Sequence, residues 1–327
     1  MEPQELVLLL HITQKDVNDV RASWEIDAFS SIVENNYFDF TSSDIEQLPK
    51  ITVTEAKQLM RSSDASNLNT EFPAYLASLA SLHKRRFKFY NILRNQPLPA
   101  FQQVSPRGLL EYSLCPHKLL FTWLQWRKWI YDIDNRSAQE TGYLFEPILA
   151  TCLGGEPRSH KKSPVRRLDE ENGYRQVDCY VEEAGEVYEL KMRVTIAASG
   201  QGRFGEELSF PKEAAAAGLT PILVVFDDSP SSRLTELVEA YETHGGIARV
   251  GAQAWELLES KAGPIMGRFI DKYVKPVIEQ LKTVEAALPE SVQLSINENN
   301  FVLRGCETGL TYKIPREANS IDEEESS

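Results

Sequence analysis

The chain has 327 residues, 42% of them apolar and 25% charged, with a net charge of −13. That composition is ordinary for a globular protein and allows one large domain with appendages, or two domains. No run reaches the 18 or more apolar residues of a membrane span, and the opening Met1-Glu2-Pro3-Gln4-Glu5-Leu6 lacks the basic stretch of a signal peptide. Cys115, Cys152, Cys179 and Cys306 are scattered without C-x-x-C spacing and read as reduced thiols of a cytoplasmic protein. The acidic balance counts against a nucleic-acid binder, but the charge is uneven. Basic clusters lie at His83–Lys88, at Arg127-Lys128 and between Arg158 and Arg167, and the acids gather in the tail Asp322–Glu325.

Residues 1–100 read as helical, with helices over Thr54–Met60 and Pro73–Leu93 and a polar linker at Ser62–Asn69. Gln96-Pro97-Leu98-Pro99 marks a module boundary. From Ser105-Pro106 an aromatic helix carries Trp123, Trp126 and Trp129, whose spacing predicts a packed stripe. A second helix is expected from Ser137 to Leu153, capped by Gly154-Gly155. A basic strand near Val165 follows, and then a hairpin of Tyr174–Glu182 with Glu186–Thr195. Further on come a glycine-rich loop at Ser199–Gly205, a helix over Glu206–Ala217 and a fully apolar strand Pro221–Phe226. A helix over Arg233–Tyr241, a strand Ile247–Val250, mostly helix from Ala252 to Leu288 and a small hairpin over Val292–Ile314 complete the order. The expected organisation is a helical N-terminal region 1–100 for DNA binding or dimerisation, a core 101–290, and a hairpin with a disordered acidic tail at 291–327. The core is α/β, a mixed sheet flanked by helices.

The hairpin carries the chemistry. Val177, Cys179 and Val181 alternate on one arm, and Tyr188, Leu190, Met192 and Val194 on the other, which leaves Asp178, Glu189 and Lys191 on the opposite face. A two-residue turn at Ala184-Gly185 would set Lys191 directly across from Asp178 and Glu189 one diagonal away, close enough for both acids to share one cation. E-x-K occurs three times in the chain, at Glu55/Lys57, Glu189/Lys191 and Glu259/Lys261. The outer two lie in helical text, where residues i and i+2 point apart. Two carboxylates and a lysine on one strand face suit metal-assisted phosphodiester hydrolysis: hard Mg²⁺ takes carboxylate oxygens, and the lysine orients or deprotonates water. No H-E-x-x-H, P-loop or G-x-S-x-G competes with this reading.

This arrangement resembles the PD-(D/E)XK nuclease superfamily over roughly residues 137–250. The resemblance implies an α-β-β-β-α-β restriction-endonuclease-like core in which Asp178 and Glu189 hold Mg²⁺ and Lys191 positions or activates the water. Glu146, on the helix before the sheet, matches the further acid that family members bring to the metal. Val177 stands where the motif's proline would be. The favoured branch is the type II restriction endonucleases, which implies a sequence-specific cut of double-stranded DNA by a homodimer. Gln201 and Arg203 in the glycine-rich segment have side chains that read base edges; Arg193, Lys161 and Lys162 are further DNA-contact candidates. The alternative is a repair nuclease resembling RecB or Cas4. Ser105-Pro106-x-x-Leu109-x-x-Tyr112-x-x-Cys115-Pro116 looks like the start of such domains, but Glu146 replaces their histidine and no Q-x-x-x-Y follows Lys191. A non-catalytic DNA-binding module of the same fold is the third reading, and the intact Asp178, Glu189 and Lys191 argue against it.

Overall fold

The computed structural model describes residues 1–18, 37, 46–62, 72–103, 110, 114–170, 173–192, 201–227, 231–276, 292–297, 299–305 and 309–317. Contacts group the chain into two units. One is Met1–Ser81 with Tyr143–Leu281, the other Leu82–Gly142 with Lys282–Ser327. In chain order the elements are α1 (Pro3–Asn18), α2 (Val53–Ser62), α3 (Phe72–Asn95), α4 (His117–Cys152), β1 (Glu156–Arg158), β2 (Val177–Val181), β3 (Glu186–Lys191) and α5 (Gln201–Ala216). They continue with β4 (Thr220–Val225), α6 (Ser232–Thr243), β5 (Ile247–Val250), α7 (Ala252–Lys261), α8 (Gly263–Phe269), a π turn Ile270–Val274, β6 (Val292–Asn297), β7 (Asn300–Gly305) and β8 (Thr311–Pro315). Among the described residues no helix is long and apolar enough to cross a membrane.

The first unit holds a five-stranded sheet in the order β1-β2-β3-β4-β5. β1, β2 and β3 pair antiparallel, while β3, β4 and β5 pair parallel. This is the expected mixed α/β core. Its parallel strand β4 is buried on both faces, as its uninterrupted apolar text requires. On one face Val187, Leu223 and Val225 pack against Phe210 and Ala214 of α5 and against Leu234, Leu237 and Tyr241 of α6. Each of the valine, leucine and phenylalanine side chains among them contributes about 1.5–3 kcal/mol by leaving water. On the other face Cys179 directs its sulfur to the Ala150 carbonyl of α4, 3.8 Å away. Burial pushes the Cys152 and Cys179 thiols up to about 12, as expected for inert, reduced cysteines. The turn after α4 is tight against the sheet: a Cβ on Gly155 would sit 2.6 Å from Cys179 Sγ.

Several expectations change. The two helices predicted between Ser105 and Leu153 are one 36-residue helix, α4, because nothing between His117 and Thr141 breaks a helix. The first strand is Glu156–Arg158 rather than the stretch near Val165. That stretch instead makes a single bridge, Arg166 with Tyr174, and is tied to α5. There Glu213, buried, takes the Arg175 guanidinium and the Leu168 N–H, the latter at 3.1 Å. The glycine-rich segment is helix from Gln201 onward, since Gly202 and Gly205 lie in α5 rather than in a loop.

In the second unit β6, β7 and β8 form an antiparallel sheet, one strand more than the predicted hairpin. Its core is Trp129, Phe301 and Ile314. Trp129 donates its indole N–H to the Gln96 carbonyl at 3.2 Å, and Arg316 lies 5.3 Å over its ring. Of the tryptophan stripe, Trp129 is buried and Trp126 half-buried, but Trp123 is 47% exposed, so the packed face is narrower than the spacing predicts. The helical character expected near the N-terminus appears as α1, α2 and α3.

Candidate active site

The hairpin turn decides which side chains face each other. Glu182–Ala184 form a 3-10 turn closed by Gly185, whose φ of 63° is the left-handed conformation that glycine adopts without strain. The turn is therefore four residues long. It pairs Val181 with Glu186, Tyr180 with Val187, and Cys179 with Tyr188. One step further sets Asp178 directly opposite Glu189, with Lys191 on the diagonal, the reverse of the arrangement a two-residue turn would produce. The slip is by two residues, so every side chain stays on its predicted face. Beyond Cys179 the Asp178 carboxylate itself takes the Leu190 N–H, at 2.9 Å.

Asp178 is half-buried, and burial raises its carboxyl well above the usual carboxylate range. The neighbouring Glu189 and Glu146 push it further. Glu146 projects from α4 on the side it shares with the buried Leu149 and Ala150, three and four residues on. It too is raised, by its own burial first and then by Glu189. These acids repel one another, and a cation is what such a cluster lacks. Lys191 supplies part of that charge. Its ammonium lies 3.2 Å from Glu189 Oε1 and 3.1 Å from Glu207 Oε1. Burial alone would lower the lysine, but Glu189 and Glu207 outweigh it and hold Lys191 above its ordinary value, so it is charged at neutral pH. Buried Tyr241 of α6 completes the wall; burial first, then Glu189, Asp178 and Glu207, raise its phenol. Lys191 pairs with Val225 at the carboxyl end of the parallel strands, the edge where open α/β sheets place their ligands.

The structure brings Asp178, Glu189, Lys191 and Glu146 into one cluster and adds Glu207, which the sequence reading did not single out. Its signal was present: Phe204, Glu207, Phe210 and Ala214 recur at helical spacing, so an acid occupies the stripe that faces the core. Lys161 and Lys162 are exposed on the turn that leaves β1. Arg193 lies outside the described residues, and so do the side chains of Gln201 and Arg203, whose backbone forms the first turn of α5. Among the described residues no three acids, histidines or cysteines stand close enough to cage an ion unaided. Mg²⁺ does not need a cage, because it takes one or two carboxylates and retains waters. The raised, mutually repelling Asp178 and Glu146 beside Glu189 fit such a cation.

A family model described as ApaLI-like restriction endonuclease matches residues 38–275. The chain belongs to the ApaLI-like restriction endonuclease family. A curated relative, the type II restriction enzyme ApaLI of Acetobacter pasteurianus, is 49% identical over 244 residues, covering 73% of this chain and 65% of the relative. The matched region thus spans just under two thirds of that relative's length. No solved structure matches the chain. At the level of the family, the type II restriction endonuclease resemblance is borne out, and the RecB-like or Cas4-like alternative is not the family found. The matched span of the ApaLI-like family covers every member of the cluster, from Glu146 to Tyr241.

Proposed function

We propose that this ApaLI-like chain is a Mg²⁺-dependent, sequence-specific endonuclease that hydrolyses phosphodiester bonds of double-stranded DNA in the cytoplasm as a homodimer. The observation that carries the reading is Asp178 facing Glu189 across the hairpin with Lys191 3.2 Å from Glu189. Asp178 and Glu189 would hold the cation, with Glu146 approaching from the helix side. Bound Mg²⁺ would supply charge neutralisation at the phosphate and a more acidic water. Lys191, held charged by two carboxylates, donates hydrogen bonds to the attacking water or a phosphate oxygen. In that place, between Glu189 and Glu207, it acts as an orienting and electrostatic group. The part-buried bond from the Leu190 N–H fixes the Asp178 carboxylate, so the site is preorganised on strands rather than loops.

For DNA contact we propose Lys161 and Lys162 on the turn at the active end of the sheet, Gln201 and Arg203 at the start of α5, and Arg193 between β3 and α5. The catalytic core lies within 101–290, with residues 1–100 serving DNA binding or dimerisation and 291–327 a terminal appendage. The 49% identity to an enzyme named type II restriction enzyme supports this reading over a non-catalytic module of the same fold. Digestion of phage DNA with and without Mg²⁺ tests it. Discrete fragments that appear only with the cation are expected. An end-dependent ladder would point to an exonuclease, and intact DNA under all conditions would sink the assignment.

A further inference from the structure

Lys191 has two carboxylate partners, and they come from different elements: Glu189 from its own strand β3 and Glu207 from helix α5. On the reading above, Glu189 is also a cation ligand. A divalent cation drawn to Glu189 repels the ammonium 3.2 Å from the same carboxylate, so the lysine needs another anion if it is to stay. Glu207 is placed for that. Its Oε1 already lies 3.1 Å from Lys191. Its Oε2 is buried and has no hydrogen-bond partner among the described residues, an open acceptor in the interior. An ammonium has three donors, so one released by Glu189 can be taken over by this second oxygen. The backbone of α5 is fixed nearby by Phe210 and Ala214 in the core and by the buried Glu213–Arg175 pair, so Glu207 does not move with the strand.

We propose that Glu207 is a positioning residue that keeps Lys191 in the site while Glu189 turns its carboxylate to the cation. Without Glu207 the lysine falls back on Glu189 and competes with the metal for it. The proposal rests on the metal-site reading, and the test separates the two. Mn²⁺ binding to the full-length protein, in the absence of DNA, is read from the electron paramagnetic resonance signal of free Mn²⁺. Glu207→Gln keeps the shape of the side chain and removes its charge. It is expected to weaken Mn²⁺ binding about tenfold, the effect of losing a partner just outside a metal's ligands. A lost negative charge would weaken a cation by itself, so the deciding measurement is a double-mutant cycle with Lys191→Met. If Glu207 draws the lysine away, Lys191→Met tightens Mn²⁺ several-fold more in the Glu207→Gln protein than in the wild-type protein. An equal effect in both backgrounds means simple charge addition and overturns the proposal, as does unchanged Mn²⁺ affinity in Glu207→Gln. A wild-type protein with no saturable Mn²⁺ site that Asp178→Asn removes would overturn the metal-site reading itself, and this proposal with it. Circular dichroism of each variant confirms that the comparison is between folded proteins.

Discussion

Replacing Asp178 by Asn should stabilise the metal-free protein while destroying its activity. The Asn oxygen can still accept the Leu190 N–H that Asp178 holds at 2.9 Å, so the local geometry survives. What is lost is a charge facing Glu189 in a half-buried site. Two like charges about 5.5 Å apart, the spacing of a cross-strand pair, repel by about 3 kcal/mol at an effective dielectric near 20. Wild-type Asp178 escapes part of that cost by keeping its proton, which is why its carboxyl is raised by burial and by its acidic neighbours. The sign follows from linkage. Below the ordinary carboxylate value both folded and unfolded chains are protonated and the substitution gains nothing. As pH rises from there towards the folded value, the unfolded chain releases a proton that the folded chain retains, so wild-type stability falls. It levels off once the folded group ionises too. The advantage of Asp178→Asn therefore grows with pH and reaches about 1–3 kcal/mol near pH 8. Urea unfolding at pH 5 and pH 8 without divalent cations measures it. Added Mg²⁺ should invert the order, because only the wild type gains binding energy on folding. Cleavage by the variant should fall by at least about 100-fold. An Asp178→Asn protein less stable than wild type at pH 8 in the absence of cations would refute the electrostatic account of the site.

Lys191→Ala should reduce cleavage at least about 100-fold with DNA affinity in Ca²⁺ changed only slightly, as gel-shift titration would show; full activity would remove the lysine from the mechanism. Glu213→Ala leaves the Arg175 guanidinium buried beside α5 and should cost about 3–5 kcal/mol, read as a lower urea midpoint at unchanged slope. A loss within 1 kcal/mol would mean that segment 163–175 is not anchored there. Gly155→Ala pushes a methyl to 2.6 Å from Cys179 Sγ, with the Tyr180 carbonyl at 2.7 Å, and should destabilise by about 1–3 kcal/mol in thermal melts. The rise in melting temperature on adding Mg²⁺ should increase from pH 5 to pH 8, since the cation must displace the protons that Asp178 and Glu146 retain. A pH-independent rise would contradict the raised carboxyls.

What could be read from the chain alone follows from which physical rules are local. Alternation along β2 and β3 assigned Asp178, Glu189 and Lys191 to one face, because the side-chain period of a strand depends on nothing outside it. The apolar Leu149, three residues further along and so on the same helix side, likewise pointed to Glu146 as an inward acid on α4. The limits of β5 were visible in the chain too, a short stretch Ile247-Ala248-Arg249-Val250 between glycines at Gly246 and Gly251. Register was not local. It depended on whether Glu182–Ala184 would close as a 3-10 turn onto a left-handed Gly185, and nothing in Glu-Glu-Ala-Gly separates that from a two-residue turn. Glu207 was hidden differently. Its partner Lys191 is 16 residues away and on another element, so the pair exists only once α5 has packed on the sheet.

The register error was harmless to the site for a reason that bears on how such sites tolerate change. A slip of two residues exchanges which of Glu189 and Lys191 faces Asp178 but keeps all three on one face, whereas a slip of one would have sent the acid and the lysine to the side of Cys179 and α4. The actual register has a chemical consequence. With Glu189 opposite Asp178, the two acids meet across the strands and the lysine is displaced towards α5, where Glu207 waits for it. Had Lys191 faced Asp178, a direct ion pair would have satisfied the half-buried carboxylate and removed its demand for a cation. The four-residue turn thus leaves the acids short of positive charge, the condition under which a divalent metal binds.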